Sequence, residues 1–220
     1  MLLNLDFEIL ILLIPALILS LCVHEYSHGI VAYHYGDDTA YKYGRLTLNP
    51  LKHLDPIGSL MLLFIGFGYA KPVPVNPFNL NNPKPDMVKV AAAGPISNLL
   101  LGFLGTFIFY FLFYFLPYFL NDSIALFLRI FIQINIFLAI FNLLPVYPLD
   151  GGQIFGNLIS EYYPNFNINM QMYGPRILMV VILIGIISGY SIIGLILYPV
   201  YELINSIFTN IIELLFKLFI

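Results

Sequence analysis

Residues 7–35 are almost continuously apolar, and the run ends at Gly36 followed by the polar pair Asp37-Asp38. A run of that length closed by glycine predicts one long helix. A second apolar run, over 88–120, opens on Ala91-Ala92-Ala93-Gly94-Pro95, small side chains that let another helix approach closely. After the turn at Asn121-Asp122 a third helix is expected over 123–144, stopped by Pro145 and Pro148. A fourth is expected over 177–198. The last segment, 201–220, carries Glu202, Ser206, Thr209, Glu213 and Lys217 at helical spacing, with Ile204, Phe208, Ile211, Leu215 and Phe219 largely opposite. That pattern predicts an amphipathic helix lying at an interface or packed on the bundle.

Between the first two runs the pattern changes. Residues 44–77 interleave glycines and prolines with short apolar pieces, which favours extended, strand-like segments. The charge-free stretch between Asp55 and Lys71 is short for a membrane crossing and holds Gly58, Gly66 and Gly68. A re-entrant or interfacial loop is the better expectation, touching protein or a water-filled cavity.

Composition then sets the solvent. Of 220 residues 60% are hydrophobic, and only 9 Lys+Arg and 12 Asp+Glu are available to clothe a surface, which excludes an ordinary water-soluble globule. No charge falls between Glu8 and Glu25, Lys89 and Asp122, Arg129 and Asp150, or Arg176 and Glu202, gaps of 16, 32, 20 and 25 residues. About 20 apolar residues span a hydrocarbon core. The expected fold is an all-α polytopic membrane protein. It is a single domain over 1–220, a helical bundle of about four to six membrane segments with a small re-entrant or strand-like insertion between the first two core helices. A net charge of −3 without a basic cluster gives no support to a nucleic-acid partner. Cys22 is the single cysteine, so no intrachain disulfide is expected, and its apolar setting fits a small buried thiol. The first run lacks a basic flank and a small-residue cleavage site, so it is expected to stay in the mature protein.

Six of the nine basic residues (Lys42, Arg45, Lys52, Lys71, Lys84 and Lys89) lie between the first two long helices. The positive-inside rule puts that connection in the cytoplasm, with the amino terminus outside. Arg176 agrees with this orientation and Arg129 does not.

The first helix contains His24-Glu25-Tyr26-Ser27-His28. Imidazoles at i and i+4 share one helical face and can converge on a tetrahedral zinc, while the intervening Glu reaches the water such an ion would activate. Two His and a Glu in an apolar helix are costly unless paired or ligated, which marks an intramembrane functional site. A catalytic zinc needs a third protein ligand and one open position. The best candidate is Asp150, at the broken end of the third helix beside Gly151-Gly152; Asp37, Asp38 and Asp55 compete but read as solvated loop charges. Asn135 and Asn142 are seven apart on one face, where polar amides either steady a substrate or bond neighbouring helices. His53 and Asp55 could form a second metal or regulatory site, or a plain loop turn.

His24-Glu25-x-x-His28, then Ala93-Gly94-Pro95-x-x-Asn98, then Asn142-x-x-Pro145-x-x-Pro148-Leu149-Asp150-Gly151 together resemble the site-2 protease family of intramembrane zinc metalloproteases, over about residues 15–155. The stretches 44–50 and 67–77 resemble its compact prokaryotic branch, and no PDZ or CBS domain is expected within these 220 residues. The resemblance implies one zinc per chain bound by His24, His28 and Asp150. It implies Glu25 as catalytic base, and an active site toward the cytoplasmic side of a multi-pass protein of a prokaryotic plasma membrane. Asn142 becomes a candidate for steadying the substrate or its oxyanion, and Asn98 either contacts substrate or bonds a neighbouring helix. From the residues themselves, Gly66, Phe67, Gly68 and Asn76 belong either to an exposed edge that pairs with an unwound substrate segment or to a re-entrant turn that the glycines and prolines shape. The implied activity is zinc-dependent hydrolysis of peptide bonds in or near transmembrane segments, that is, regulated intramembrane proteolysis. Its partners are the lipid bilayer and a membrane-anchored protein substrate, with a homo-oligomer left open. Two rival classes are a membrane zinc transporter using the same ligands and an inactive binder of membrane segments. Glu25 speaks against the second, and the lack of further ligands at membrane depth against the first.

Overall fold

The computed structural model describes residues 6–65 and 68–218. Among the described residues eight α-helices follow one another: α1 (Phe7–His34), α2 (Thr39–Lys42), α3 (Pro56–Ile65), α4 (Pro83–Phe115), α5 (Asp122–Asn142), α6 (Asp150–Ile159), α7 (Pro164–Ser188) and α8 (Ile192–Lys217). Five of them, α1, α4, α5, α7 and α8, are long and apolar enough to cross a membrane. Apolar side chains such as Ile11, Leu19, Leu100, Ile187 and Leu195 stand exposed along these helices, as expected where lipid is the solvent. The chain is an all-helical, multi-pass membrane protein.

Glu8 in the first turn of α1 complements the helix dipole, and Gly36 (φ 103°) turns the chain away just past the other end. A Cβ at Gly36 would lie 2.9 Å from Asn81 Oδ1, so glycine is required there twice over. Helix α4 starts at Pro83, earlier than expected, because prolines are tolerated in a first turn where the N–H is unpaired anyway. Leu116 and Pro117 end it short of residue 120. Asn121 caps α5, accepting a bond from the Ile124 N–H at 2.9 Å.

The core is the packing of α1, α4 and α5, with α6 laid against α4. On α4, Gly102 and Gly105 leave room for Ile136 and Ile132 of α5: a Cβ at either glycine would sit 3.1 or 3.0 Å from those side chains. Helix α8 closes on this unit through aromatic contacts, Phe208 against Phe103, Phe216 against Phe107 and Tyr201 stacked on Phe137.

Two expectations change. The helix expected over 177–198 and the amphipathic helix over 201–220 are replaced by α7 and α8. The break between them falls at Gly189, in the left-handed region at φ 74°, and Ser191 caps α8 by accepting from the Gly194 N–H. The charge-free gap therefore straddles a turn instead of marking one span. In the 44–77 segment, no strand forms among the described residues; an isolated antiparallel bridge joins Leu54 to Ala70, and a ten-residue helix, α3, lies between these two residues in the chain. Ten residues rise about 15 Å, half a hydrocarbon core, so α3 cannot span. Pro72, Pro74 and Pro77 lack N–H groups, which stops a ladder from propagating beyond that bridge.

Candidate metal centre

His24 and His28 lie one turn apart on α1, facing α4 where Gly94 offers no side chain. A Cβ at Gly94 would lie 2.5 Å from His28 Nε2 and 2.6 Å from His24 Nε2, so only glycine leaves the two rings their position. Asp150 arrives from the other side as the first residue of α6. The link from α5 folds tightly over the start of that helix, and a Cβ at Gly151 would lie 2.2 Å from the Leu143 carbonyl oxygen, while one at Gly152 would lie 2.5 Å from the Tyr147 nitrogen. These glycines fix where the Asp150 carboxylate points.

Asp150 Oδ2 lies 3.2 Å from His24 Nε2 and 3.4 Å from His28 Nε2, and the two Nε2 atoms are 3.1 Å apart. Hydrogen bonds on the far ring nitrogens assign the tautomers. His28 Nδ1 is 2.7 Å from the Val90 carbonyl oxygen, which can only accept, so Nδ1 donates. His24 Nδ1 is 2.6 Å from Asn98 Oδ1 and donates likewise. In neutral imidazoles, the form in which histidine binds a metal, both Nε2 atoms are then lone pairs aimed at a carboxylate oxygen, and buried Asp150 Oδ2 has no other hydrogen-bond donor. In that form three buried acceptors converge, an arrangement that a bound cation satisfies. A tetrahedral zinc with ligand bonds of about 2.0–2.1 Å has ligand-to-ligand edges of about 3.3 Å, which the three distances match. The donor set, two imidazoles and a carboxylate, also suits zinc.

Behind His24 the polar groups continue. Asn98 Nδ2 donates to the Ser20 carbonyl at 3.2 Å and to Asn135 Oδ1 at 2.9 Å. Asn135 Nδ2 donates to Ser20 Oγ and to the Phe131 carbonyl at 2.8 and 2.9 Å. Asn98 and Asn135 are fully buried, so Asn98 stands behind a histidine and not on a surface open to substrate.

His24, Glu25, His28, Asp150 and Asn142 line a cavity of about 820 Å³. Its remaining wall is mostly apolar, from the segment 68–75 and from α7 residues such as Leu178, Met179 and Ile182. Glu25 Oε2 accepts a hydrogen bond from the Val73 N–H at 2.8 Å. Asn142 donates back to the Leu138 carbonyl at 3.0 Å. Gly68 lies on the wall, while Gly66 and Phe67 fall outside the described residues. Asn76 is away from the cavity: its side chain accepts from the Phe78 N–H, and its own N–H donates to Asp37.

The competing carboxylates have other partners. Asp37 is buried, contrary to the expectation of a solvated charge, and accepts from the Asn76 N–H, the Thr39 N–H and hydroxyl, and Asn79 Nδ2. Burial pushes its pKa up, but these bonds outweigh it and hold the carboxyl below its ordinary value of 3.8. Asp38 pairs with Lys42 at the surface, and Asp55 caps α3 by accepting from the Gly58 N–H. His53 Nε2 is 2.6 Å from the Thr47 carbonyl oxygen.

Sequence reasoning missed Ser20, which sits one turn before His24 on the same face and was findable as a hydroxyl in an apolar run. The Val90 carbonyl and the Val73 N–H are backbone groups and leave no signature in residue identity.

The sequence profile of Peptidase family M50 matches residues 118–185, the part that carries Asn142 and Asp150. "Putative zinc metalloprotease YwhC" of Bacillus subtilis is 43% identical over 150 residues, covering 67% of this chain and 68% of that protein. "Putative zinc metalloprotease Rip2" of Mycolicibacterium smegmatis is 34% identical over 101 residues, 44% of this chain and 39% of its own length. The protein of that name from Mycobacterium tuberculosis is 32% identical over 102 residues, with the same coverage. No solved structure matches the chain. With that identity and coverage in the Bacillus protein, and with two imidazoles, a carboxylate and a glutamate gathered in a membrane helix bundle, the chain belongs to Peptidase family M50, the site-2 protease family.

Proposed function

We propose that this protein is a zinc-dependent intramembrane endopeptidase that hydrolyses peptide bonds in or near transmembrane segments of membrane-anchored proteins. The observation that carries this is the convergence of His24 Nε2, His28 Nε2 and Asp150 Oδ2, within 3.1–3.4 Å of one another, beside Glu25 in one cavity. The relatives' names, which speak of zinc metalloproteases, support the same chemistry.

His24, His28 and Asp150 would hold one zinc ion per chain. Zinc bound there supplies Lewis acidity, activating a water and polarising the scissile carbonyl. Glu25, pinned through Oε2 by the Val73 N–H, takes the proton of the attacking water and returns it to the leaving amine. Asn142, on the same wall, steadies the substrate backbone or the developing oxyanion. A transmembrane helix must open its own hydrogen bonds before it can be cut, and the apolar cavity lined by 68–75 and α7 gives an opened segment a place to lie. With six of nine basic residues between α1 and α4, that connection belongs to the cytoplasm. His24 and His28 then lie about 15 and about 9 Å from the cytoplasmic end of α1, ten and six residues at 1.5 Å each.

A zinc transporter would need further ligands along a path. Among the described residues His24, His28 and Asp150 are the one group of three His, Cys, Asp or Glu side chains placed to hold a metal. The test is metal content: purified protein should carry about one zinc per chain, and Asp150→Asn and His24→Gln should each lose most of it. Full zinc occupancy in both variants would refute the ligand set.

A further inference from the structure

We propose that Asn98, backed by Asn135 and Ser20, is a positioning residue that locks His24 in the tautomer protonated on Nδ1, so that its Nε2 lone pair is aimed at the metal position before any ion arrives. The proposal rests on the zinc-site reading above and concerns how that site is held.

Every link in the chain has a fixed direction. Two backbone carbonyls set it: those of Ser20 and Phe131, which can only accept, so the amide nitrogens of Asn98 and Asn135 must face them. With Asn98 turned that way, Oδ1 is the atom left facing His24 Nδ1, at 2.6 Å. Flipping the amide would set two acceptors against each other at Ser20 and again at Asn135 Oδ1. Ser20 Oγ donates to the Ala16 carbonyl at 2.7 Å and therefore receives from Asn135 Nδ2. All three side chains are 0% exposed, so no water competes for the bonds. The network ties α1, α4 and α5 together at one depth, directly behind a single ligand. His28 needs no such device, because the Val90 carbonyl on α4 holds its Nδ1. A histidine ligand's outer N–H acceptor fixes ring orientation and tautomer, and losing it typically weakens metal affinity about 10- to 100-fold.

Asn98→Leu keeps the volume and removes the acceptor. Two measurements test it on the full-length protein in detergent: zinc affinity by competition with a chelator, and the tautomer of the histidine rings in zinc-free protein from long-range nitrogen–proton correlations. The His24 signal is assigned by its loss in His24→Gln. The proposal expects zinc to bind about 10- to 100-fold more weakly in Asn98→Leu, and His24 to change from one tautomer to a mixture. Affinity within twofold of wild type, or a His24 ring still protonated only on Nδ1, would overturn it. Should Asn98→Leu fail to fold, Asn135→Leu leaves Asn98 present but unanchored, with the same two outcomes expected in weaker form and the same two overturning results. Wild-type protein that bound no zinc would instead refute the zinc-site reading, so the two failures are distinguishable.

Discussion

The Val73 N–H donates to Glu25 Oε2 at 2.8 Å, joining the loop that lines the cavity to the residue between the two histidines. Because the donor is a main-chain group, replacing the side chain leaves the bond intact and only proline removes it. Val73→Pro is therefore expected to slow cleavage of a membrane-helix reporter by at least about tenfold, since a positioned general base contributes roughly 10²–10⁴-fold. Zinc content should be unchanged. A cleavage rate equal to that of wild type would show that this bond does not orient Glu25.

Gly94 predicts a sharper effect from a smaller change. A methyl group there would press on both histidine Nε2 atoms at 2.5–2.6 Å, so Gly94→Ala should lose zinc and activity together. Gly102→Ala, eight residues along the same helix, meets the Ile136 side chain at 3.1 Å and should keep its zinc at some cost in stability. Metal analysis of the two purified variants checks the contrast. Equal zinc in both would contradict the placement of Gly94.

Asp37 makes stability depend on pH. Its carboxyl is held below 3.8 in the folded protein, so the stabilisation is fully present above that value and is lost as pH falls through the folded-state pKa. Asp37→Asn should cost about 1–3 kcal/mol near neutral pH, the scale of leaving buried donors without their charged acceptor. The gap between wild type and variant should narrow once the pH drops below 3.8. Thermal unfolding of both proteins across that range measures it; a gap that widens toward acid has the wrong sign.

Much of the site was legible because its strongest signal is local. His24, Glu25 and His28 share one helical turn, and the cost of burying them in an apolar run marks them without any tertiary information. Asp150 was legible through the break that carries it, prolines followed by two glycines, and both glycines face backbone too close to admit a side chain. Asp37 was misplaced because a polar loop pattern cannot distinguish a solvated carboxylate from one enclosed by its neighbour Thr39 together with Asn76 and Asn79, which lie 39 and 42 positions away. The α7–α8 boundary was missed because hydropathy runs on across it; its marker is the backbone freedom of Gly189, not a change in polarity. Asn98 was recognised as a polar group but not as the partner of His24, since that bond spans 74 positions.

In the proposed reaction Glu25 moves the proton at a zinc site it does not itself build. The decisive measurement is the rate at which zinc-loaded Glu25→Gln protein, reconstituted in liposomes, cleaves a reporter containing one transmembrane helix. The variant should hold about one zinc per chain, as in wild type, with cleavage reduced by roughly 10²-fold or more. Cleavage at the wild-type rate would refute that role for Glu25.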